Sequence, residues 1–300
     1  MTKILISGGS GMIGSNLTKN LQKQGHQVSW LSRNPKNGQV NQYFWNPKTG
    51  EIDPSSLLET EAIIHLAGAG VADKRWTNAY KKEILNSRVE GTELLYNALK
   101  KYPNKVKTFI SASAVGIYGT HPELECDENA PIANNFLAQV CAQWEEKLEP
   151  IAELGIRTPI VRIGIVLSRQ GGFVKEIAQL AKFGLAAPLG NGKMITPWIH
   201  VEDLSGIFIH LLQNPSLTGI YNGVAPNPAT NKELTKAICV ALRRPLFLPP
   251  IPAFVLRILV GPIAPMLLSS QNVSCQKILK AGYQFKFTNH NHAIQSLLLN

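Results

Sequence analysis

The hydrophobic pattern opens with Lys3-Ile4-Leu5-Ile6-Ser7, a run too short for a helix and ended by Gly8-Gly9. Such a run predicts a buried strand. Ile13, Leu17 and Leu21 then recur every four residues, the spacing of one apolar helix face, and Gly25 closes that helix. Further strands are expected at 27–31, 43–45, 62–67, 106–113 and 158–167, with long helices at 78–100 and 132–154. The helix at 78–100 draws its inner face from Ile84, Leu85, Val89, Leu94, Leu95, Ala98 and Leu99. Strands alternating with helices at this rhythm predict a parallel sheet covered on both faces. Beyond residue 168 the rhythm breaks. A helix follows Gly171-Gly172 to about 183, then a loop at 188–192, an extended stretch at 194–201, a helix at 202–212 and a short strand at 219–224. From 225 onward a helical end piece is expected, rich in proline near 245–265.

The first strand leads into Gly8-Gly9-Ser10-Gly11-Met12-Ile13-Gly14. Strand, glycine turn and helix are the context a dinucleotide fingerprint requires. The first glycine allows the tight turn, the second lets a pyrophosphate lie against the backbone, and the third lets helix and strand pack closely. The phosphates then meet unpaired N–H groups at the helix start. After the second strand, an acidic residue would bind the ribose 2′-hydroxyl of NAD. Arg33 stands there instead, nineteen residues after Gly14. An arginine pairs with a 2′-phosphate, which argues for NADP.

Composition narrows the remaining classes. With 44% apolar residues the chain can bury a sizeable core, as one large domain or two ordinary ones. The formal charge is +10, yet its densest groups, such as Lys81-Lys82 and Arg243-Arg244, form no basic stripe interleaved with aromatics. No nucleic-acid partner is expected. Cys126, Cys141, Cys239 and Cys275 form no CxxC pair, which suits reduced thiols and a cytoplasmic protein. The N-terminal apolar run reads as a strand and not as a signal peptide. His200, Glu202 and Asp203 lack a partner at ligand spacing, so no metal is expected; the acidic pair suits a helix start. Residues 249–268 are apolar over about the length of a membrane span. Arg257, Gly261 and four prolines after Pro249 interrupt them, so short helices are expected and no membrane span.

Several blocks together resemble a known family. They are the glycine turn, Ser32-Arg33, His65-Leu66-Ala67-Gly68, Arg75-Trp76 with Glu83 and Ser87-Arg88, and Ser111 through Gly119. Cys141 through Glu145, Trp198 through Leu204 and Tyr221 through Pro226 complete the set. The chain resembles an atypical extended short-chain dehydrogenase/reductase, of the branch called epimerase family protein, some members of which are labelled cell division inhibitors. The resemblance implies an α/β fold, a Rossmann-type doubly wound parallel sheet with a smaller, mostly helical C-terminal substrate domain. The first domain would cover 1–168, with 195–225 returning to it, and the second 169–300. The resemblance also implies that Gly8, Gly11, Met12 and Ile13 hold the pyrophosphate of NADP(H), and Ser32 and Arg33 its 2′-phosphate. Leu66 and Ala67 would line the adenosine side, and Glu83 and Arg88 would reach the cofactor from one helix. Dimerisation through the two long helices is one arrangement such proteins adopt.

Extended enzymes of this type use a serine followed by Tyr-x-x-x-Lys, the tyrosine as acid/base and the lysine lowering its pKa. Ser113 supplies the serine, but the other two positions fall on Leu137 and Cys141. Three readings stay open. The chain could be an oxidoreductase on a small molecule, drawing its proton from Ser113, Tyr118 or water. It could be a catalytically silent, NADP(H)-dependent regulator that binds a partner. It could be an epimerase-like enzyme on a nucleotide sugar, although that chemistry leans on the missing tyrosine.

Overall fold

A computed structural model describes residues 1–299. In chain order its first half holds β1 (Lys3–Ser7), α1 (Met12–Lys23), β2 (Gln27–Ser32), β3 (Asn41–Asn46), β4 (Glu51–Ile52), β5 (Ala62–His65), α2 (Asn78–Lys101), β6 (Thr108–Ala114), β7 (His121–Cys126), α3 (Phe136–Glu146) and α4 (Glu149–Glu153). The second half holds β8 (Ile160–Ile163), β9 (Ile165–Leu167), α5 (Gly172–Lys182), β10 (Ile195–Thr196), β11 (Trp198–His200), α6 (Val201–Gln213), β12 (Ile220–Gly223), β13 (Ala229–Thr230) and α7 (Asn231–Ala241). After these come α8 (Ala253–Val260), α9 (Ala264–Leu267), β14 (Gln271–Val273), α10 (Gln276–Lys280) and α11 (His290–Leu298).

Eight strands form the main sheet in the order β12-β8-β6-β5-β1-β2-β3-β4. All neighbours are parallel except β3 and β4. Alternation along β1 shows why both faces need helices. Ile4 and Ile6 join one core with Leu17 and Leu21 of α1 and Leu204 and Phe208 of α6. Leu5 points the other way, into a core with Leu95, Ala98 and Leu99 of α2. The strand order reverses at β1, whose neighbours are β2 on one side and β5 on the other. Open α/β sheets bind ligands outside the carboxyl ends of the strands at such a reversal.

A further core joins α5, α7 and α11 through Val174, Ile177, Leu234, Ile238, Ala293 and Ile294. It is tied to the sheet by buried Asp203 at the start of α6. The Asp203 carboxylate accepts from the Lys286 and Phe287 N–H groups at 2.8 and 2.9 Å and from the Tyr283 hydroxyl at 3.0 Å.

Three expectations need correction. The strand expected at 158–167 is two strands. At Gly164 a Cβ would lie 2.5 Å from the Pro197 oxygen, so the chain is pinned there; β8 stays in the main sheet while β9 leaves to pair with β11. The helix expected at 132–154 begins at Phe136, where the Asn135 side chain accepts from the Ala138 N–H, and it breaks after Glu146, ahead of Pro150 in the first turn of α4. Finally, β7 was expected by no pattern. Its polar residues pair with β14 of the end piece, which therefore is not helical throughout.

Candidate cofactor and reaction site

The glycine turn lies at the carboxyl end of β1, at the reversal point. Gly8 has φ +74°, the left-handed region that favours glycine. A Cβ on Gly14 would sit 2.3 Å from the Gly8 oxygen, so the first turn of α1 packs directly on the loop. Gly11 differs. The nearest atom to a Cβ there is the Gly8 oxygen at 3.3 Å, and the remaining space is open. Gly11 is also the N-cap of α1 and brings no side chain to its first N–H groups, those of Met12, Ile13 and Gly14. The loop after β9 closes over this helix start, with the Ser15 hydroxyl donating to Gln170 Oε1 at 3.4 Å.

Neighbouring strand ends complete the crevice. Ser32 closes β2 and Arg33 follows it, exposed. The Ser32 hydroxyl accepts from the Asn34 N–H at 3.2 Å. Leu66 and Ala67 follow β5, and their N–H groups donate to Ser7 Oγ at 3.2 and 3.3 Å. Ser7 Oγ also lies 2.6 Å from His65 Nδ1, while His65 Nε2 lies 3.2 Å from Thr92 Oγ1 on α2. Burial pushes the His65 imidazole down to about 3, with the Arg88 guanidinium adding to the effect. The ring is therefore neutral. Ser7 donates to Nδ1, Nε2–H donates to Thr92, and Thr92 donates to the Arg88 oxygen at 2.9 Å. This buried relay, unremarked in the sequence, locks α2 to the ends of β1 and β5.

The relay ends at the Arg88 main-chain oxygen, and the Arg88 side chain is held by bonds of its own. Its Nη1 donates to the Ala69 and Ile84 oxygens at 3.1 and 2.8 Å, and its guanidinium lies 5.2 Å from the centre of the Trp144 ring. The field of the guanidinium reaches the buried Cys141 thiol and works against the rise in its pKa. Burial lowers the Arg88 pKa from the usual arginine value. Glu83 does not join it. Its carboxylate reaches Lys48 at 3.9 Å and Lys74 at 3.8 Å, a half-exposed ion-pair group. The structure thus separates two residues expected to work from one face.

Ser113 stands one residue before the end of β6, and its hydroxyl donates to Glu145 Oε1 at 2.6 Å. Glu145 and Arg162 form a buried two-pronged pair at 2.9 and 2.8 Å. Arg162 also donates to the Tyr118 hydroxyl at 2.9 Å, and Tyr118 donates to Asn222 at 2.8 Å. Tyr118 is 0% exposed, and burial pushes its phenol up to about 12 despite Arg162. As a proton source it is misplaced, because it belongs to the core beneath the site. Leu137 lies against Gly116, whose Cβ would meet it at 3.5 Å. The Cys141 thiol is pushed up to about 11 by burial and by Glu145, and stays protonated. Among the described residues no group of three or more His, Cys, Asp or Glu is placed to hold a metal ion, and no helix is long and apolar enough to cross a membrane.

This fold and crevice define a Rossmann-type nucleotide-binding protein of the extended reductase kind. Comparison with known proteins narrows the class. Residues 4–222 match the model of the NAD dependent epimerase/dehydratase family, and residues 251–297 match a domain of unknown function, DUF1731. The chain belongs to the NAD dependent epimerase/dehydratase family. It is 37% identical over 284 residues to the epimerase family protein MT2273 of Mycobacterium tuberculosis, covering 94% of this chain and 93% of that one. It is similar to the crystal structure of human epimerase family protein SDR39U1 with NADPH, at TM-score 0.90 and 34% identity over the whole of both chains. The UDP-glucose 4-epimerase of Thermus thermophilus, solved with NAD, matches at TM-score 0.79 with 21% identity, covering 99% of this chain and 98% of that one. That likeness concerns the fold alone.

Proposed function

We propose that the protein binds NADP(H) and acts as an oxidoreductase on a small molecule, without a Tyr-x-x-x-Lys pair. The open space at Gly11, over an uncapped helix start, is the observation that carries this reading. The N–H groups of Met12 and Ile13 would hold the pyrophosphate, with Gly8 shaping the turn beneath them. Ser32 and Arg33 would hold the 2′-phosphate; no carboxylate stands at residue 33 to repel it. Leu66 and Ala67 would line the adenosine side. The relative solved with NADPH supports the choice of cofactor.

When bound, NADPH supplies a hydride. The chain's own residues would position and protonate. Arg88 brings a fixed cation whose field reaches residue 141, where a lysine would otherwise stand. Ser113 offers the one hydroxyl at the end of β6 that is linked to a carboxylate, Glu145, and through it to Arg162. A proton passing from Ser113 to a substrate oxygen would be replaced from water, with the Glu145–Arg162 pair holding the hydroxyl in place. Cys141 and Tyr118 take no part, the thiol too weak an acid and the phenol sealed in the core.

The absence of a tyrosine at Leu137 favours a second reading, a silent NADP(H)-dependent regulator. One pair of measurements tests both. Calorimetry with NADPH and NADH should show a preference for NADPH of about tenfold to a hundredfold, the worth of a charge-assisted bond, and Arg33→Ala should abolish it. NADPH oxidation over a panel of carbonyl compounds should then be slow, reduced by Ser113→Ala and indifferent to Cys141→Ala. Equal affinities would refute the cofactor assignment. Tight NADPH binding without oxidation of any acceptor would replace the enzyme with the regulator.

A further inference from the structure

The charge of this chain is unevenly placed. Residues 1–153 carry 16 Lys and Arg against 16 Asp and Glu, whereas 154–300 carry 14 against four. After Glu233 there is no acidic residue at all, and seven basic ones. The whole surplus of +10 therefore lies in the second half.

The same half exposes large apolar side chains. Phe183, Leu185, Phe247, Phe254, Ile258 and Leu259 are 58–80% exposed. They belong to adjoining segments. A Cβ on Gly184, between Phe183 and Leu185, would touch the Phe247 ring at 3.7 Å. Ile251, just before α8, exchanges backbone hydrogen bonds with the 188–190 loop, Ile251 N–H to the Pro188 oxygen at 2.8 Å and Gly190 N–H to the Ile251 oxygen at 2.9 Å. Helix α8 carries one polar side chain, Arg257, and is otherwise apolar on every side. Its inner side buries Leu256, and Val260 joins the core of Trp76, Tyr80 and Ile263. Its outer side presents Phe254, Arg257 and Ile258 at i, i+3 and i+4, one face of the helix. Apart from Arg257 this outer face is apolar, and water is a poor solvent for it.

We infer that this face docks on the surface of an anionic phospholipid bilayer. Apolar side chains would enter the boundary between headgroups and acyl chains while exposed Lys182, Arg243, Arg244 and Arg257 meet lipid phosphates. A second copy is the poorer occupant. Two such faces brought together would oppose arginine with arginine, with no carboxylate after Glu233 to pair with them. The inference does not depend on the cofactor reading, because α8 and its neighbours lie outside the glycine turn and the strand ends.

Vesicle flotation of the full chain tests it, using vesicles of phosphatidylcholine alone and vesicles with one third phosphatidylglycerol. The chain should float with the anionic vesicles only, and less as salt rises. Phe254→Ser with Ile258→Ser, and separately Arg243→Glu with Arg244→Glu, should each cut flotation by about tenfold or more, given the loss of apolar insertion or of lipid attraction. All four side chains are exposed, so melting temperature and NADPH affinity should not change. No flotation, equal flotation with neutral vesicles, or variants that float like the parent would overturn the inference. A stable dimer dispersed by the Phe254/Ile258 variant would assign the face to a second copy and overturn it as well.

Discussion

Gly11→Asp sets stability against function at a single position. Gly11 has φ −73° and ψ 172°, an extended conformation that any L-residue adopts. Its Cβ would meet only the Gly8 oxygen, at 3.3 Å, so a small shift accommodates it. Aspartate is among the best N-caps, and a carboxylate suits the positive end of the helix dipole. The folded protein should keep its stability or gain about 0.5–1 kcal/mol. The same carboxylate stands where the pyrophosphate is proposed to lie. Two unit charges about 4 Å apart, at an effective dielectric of about 20, repel by about 4 kcal/mol. That corresponds to roughly a thousandfold loss of NADPH affinity. Thermal unfolding and calorimetric titration of the same preparation read both effects. A more stable protein that still binds NADPH as tightly as the parent would refute the reasoning, since the phosphates would then lie elsewhere. Gly14→Ala supplies the contrast. Its Cβ would fall 2.3 Å from the Gly8 oxygen, so stability and binding should be lost together.

Arg88→Ala should weaken NADPH binding by about tenfold to a hundredfold, the worth of one charge-assisted bond. Cys141→Lys in that background should restore much of it, while Cys141→Lys alone should impair binding by setting two cations side by side. A double variant no better than Arg88→Ala would mean that Arg88 only braces the loop at Ala69. His65 should make the fold acid-sensitive. Its folded pKa of about 3 lies below the ordinary 6.5, so protons favour the unfolded chain. Its contribution is complete above about pH 6.5 and falls as pH drops toward 3, by about 2 kcal/mol at pH 5. Denaturant titrations at pH 7 and pH 5 should show a smaller difference for His65→Gln than for the parent; equal differences would show that His65 is not the group responsible.

The parts of this molecule that were legible in the sequence are local. A buried strand, a glycine turn and a helix are adjacent in the chain, and so are Ser32 with Arg33 and Leu66 with Ala67, each pair at or just past a strand end. Backbone turns at strand ends make the crevice, so short motifs suffice to find it. What stayed hidden depends on pairing across distance or on helical phase. The polar β7 meets β14 some 150 residues away, and no pattern in His121–Cys126 announces it. Glu83 and Arg88, five residues apart, diverge by about 140° around an α-helix. One therefore turns to Lys48 and Lys74 and the other to Trp144.

The same contrast governs the chemistry. A missing tyrosine and lysine are visible at Leu137 and Cys141 because their spacing is fixed within one helix. A substitute is under no such constraint. In the proposed function the cation comes from Arg88 on another helix, held by the Ala69 and Ile84 oxygens, while Ser113 is linked to Glu145 and Arg162 from separate elements. Loss of a local motif is therefore weak evidence for loss of its charge. In the proposed function the Arg88 guanidinium, whose field reaches Cys141, stands in for the missing lysine, and only the acid at Leu137 has no replacement of its own kind. If Cys141→Lys rescues Arg88→Ala, the cation function has moved between helices, and the proton donor is the single element of the usual chemistry that this chain must supply in another way.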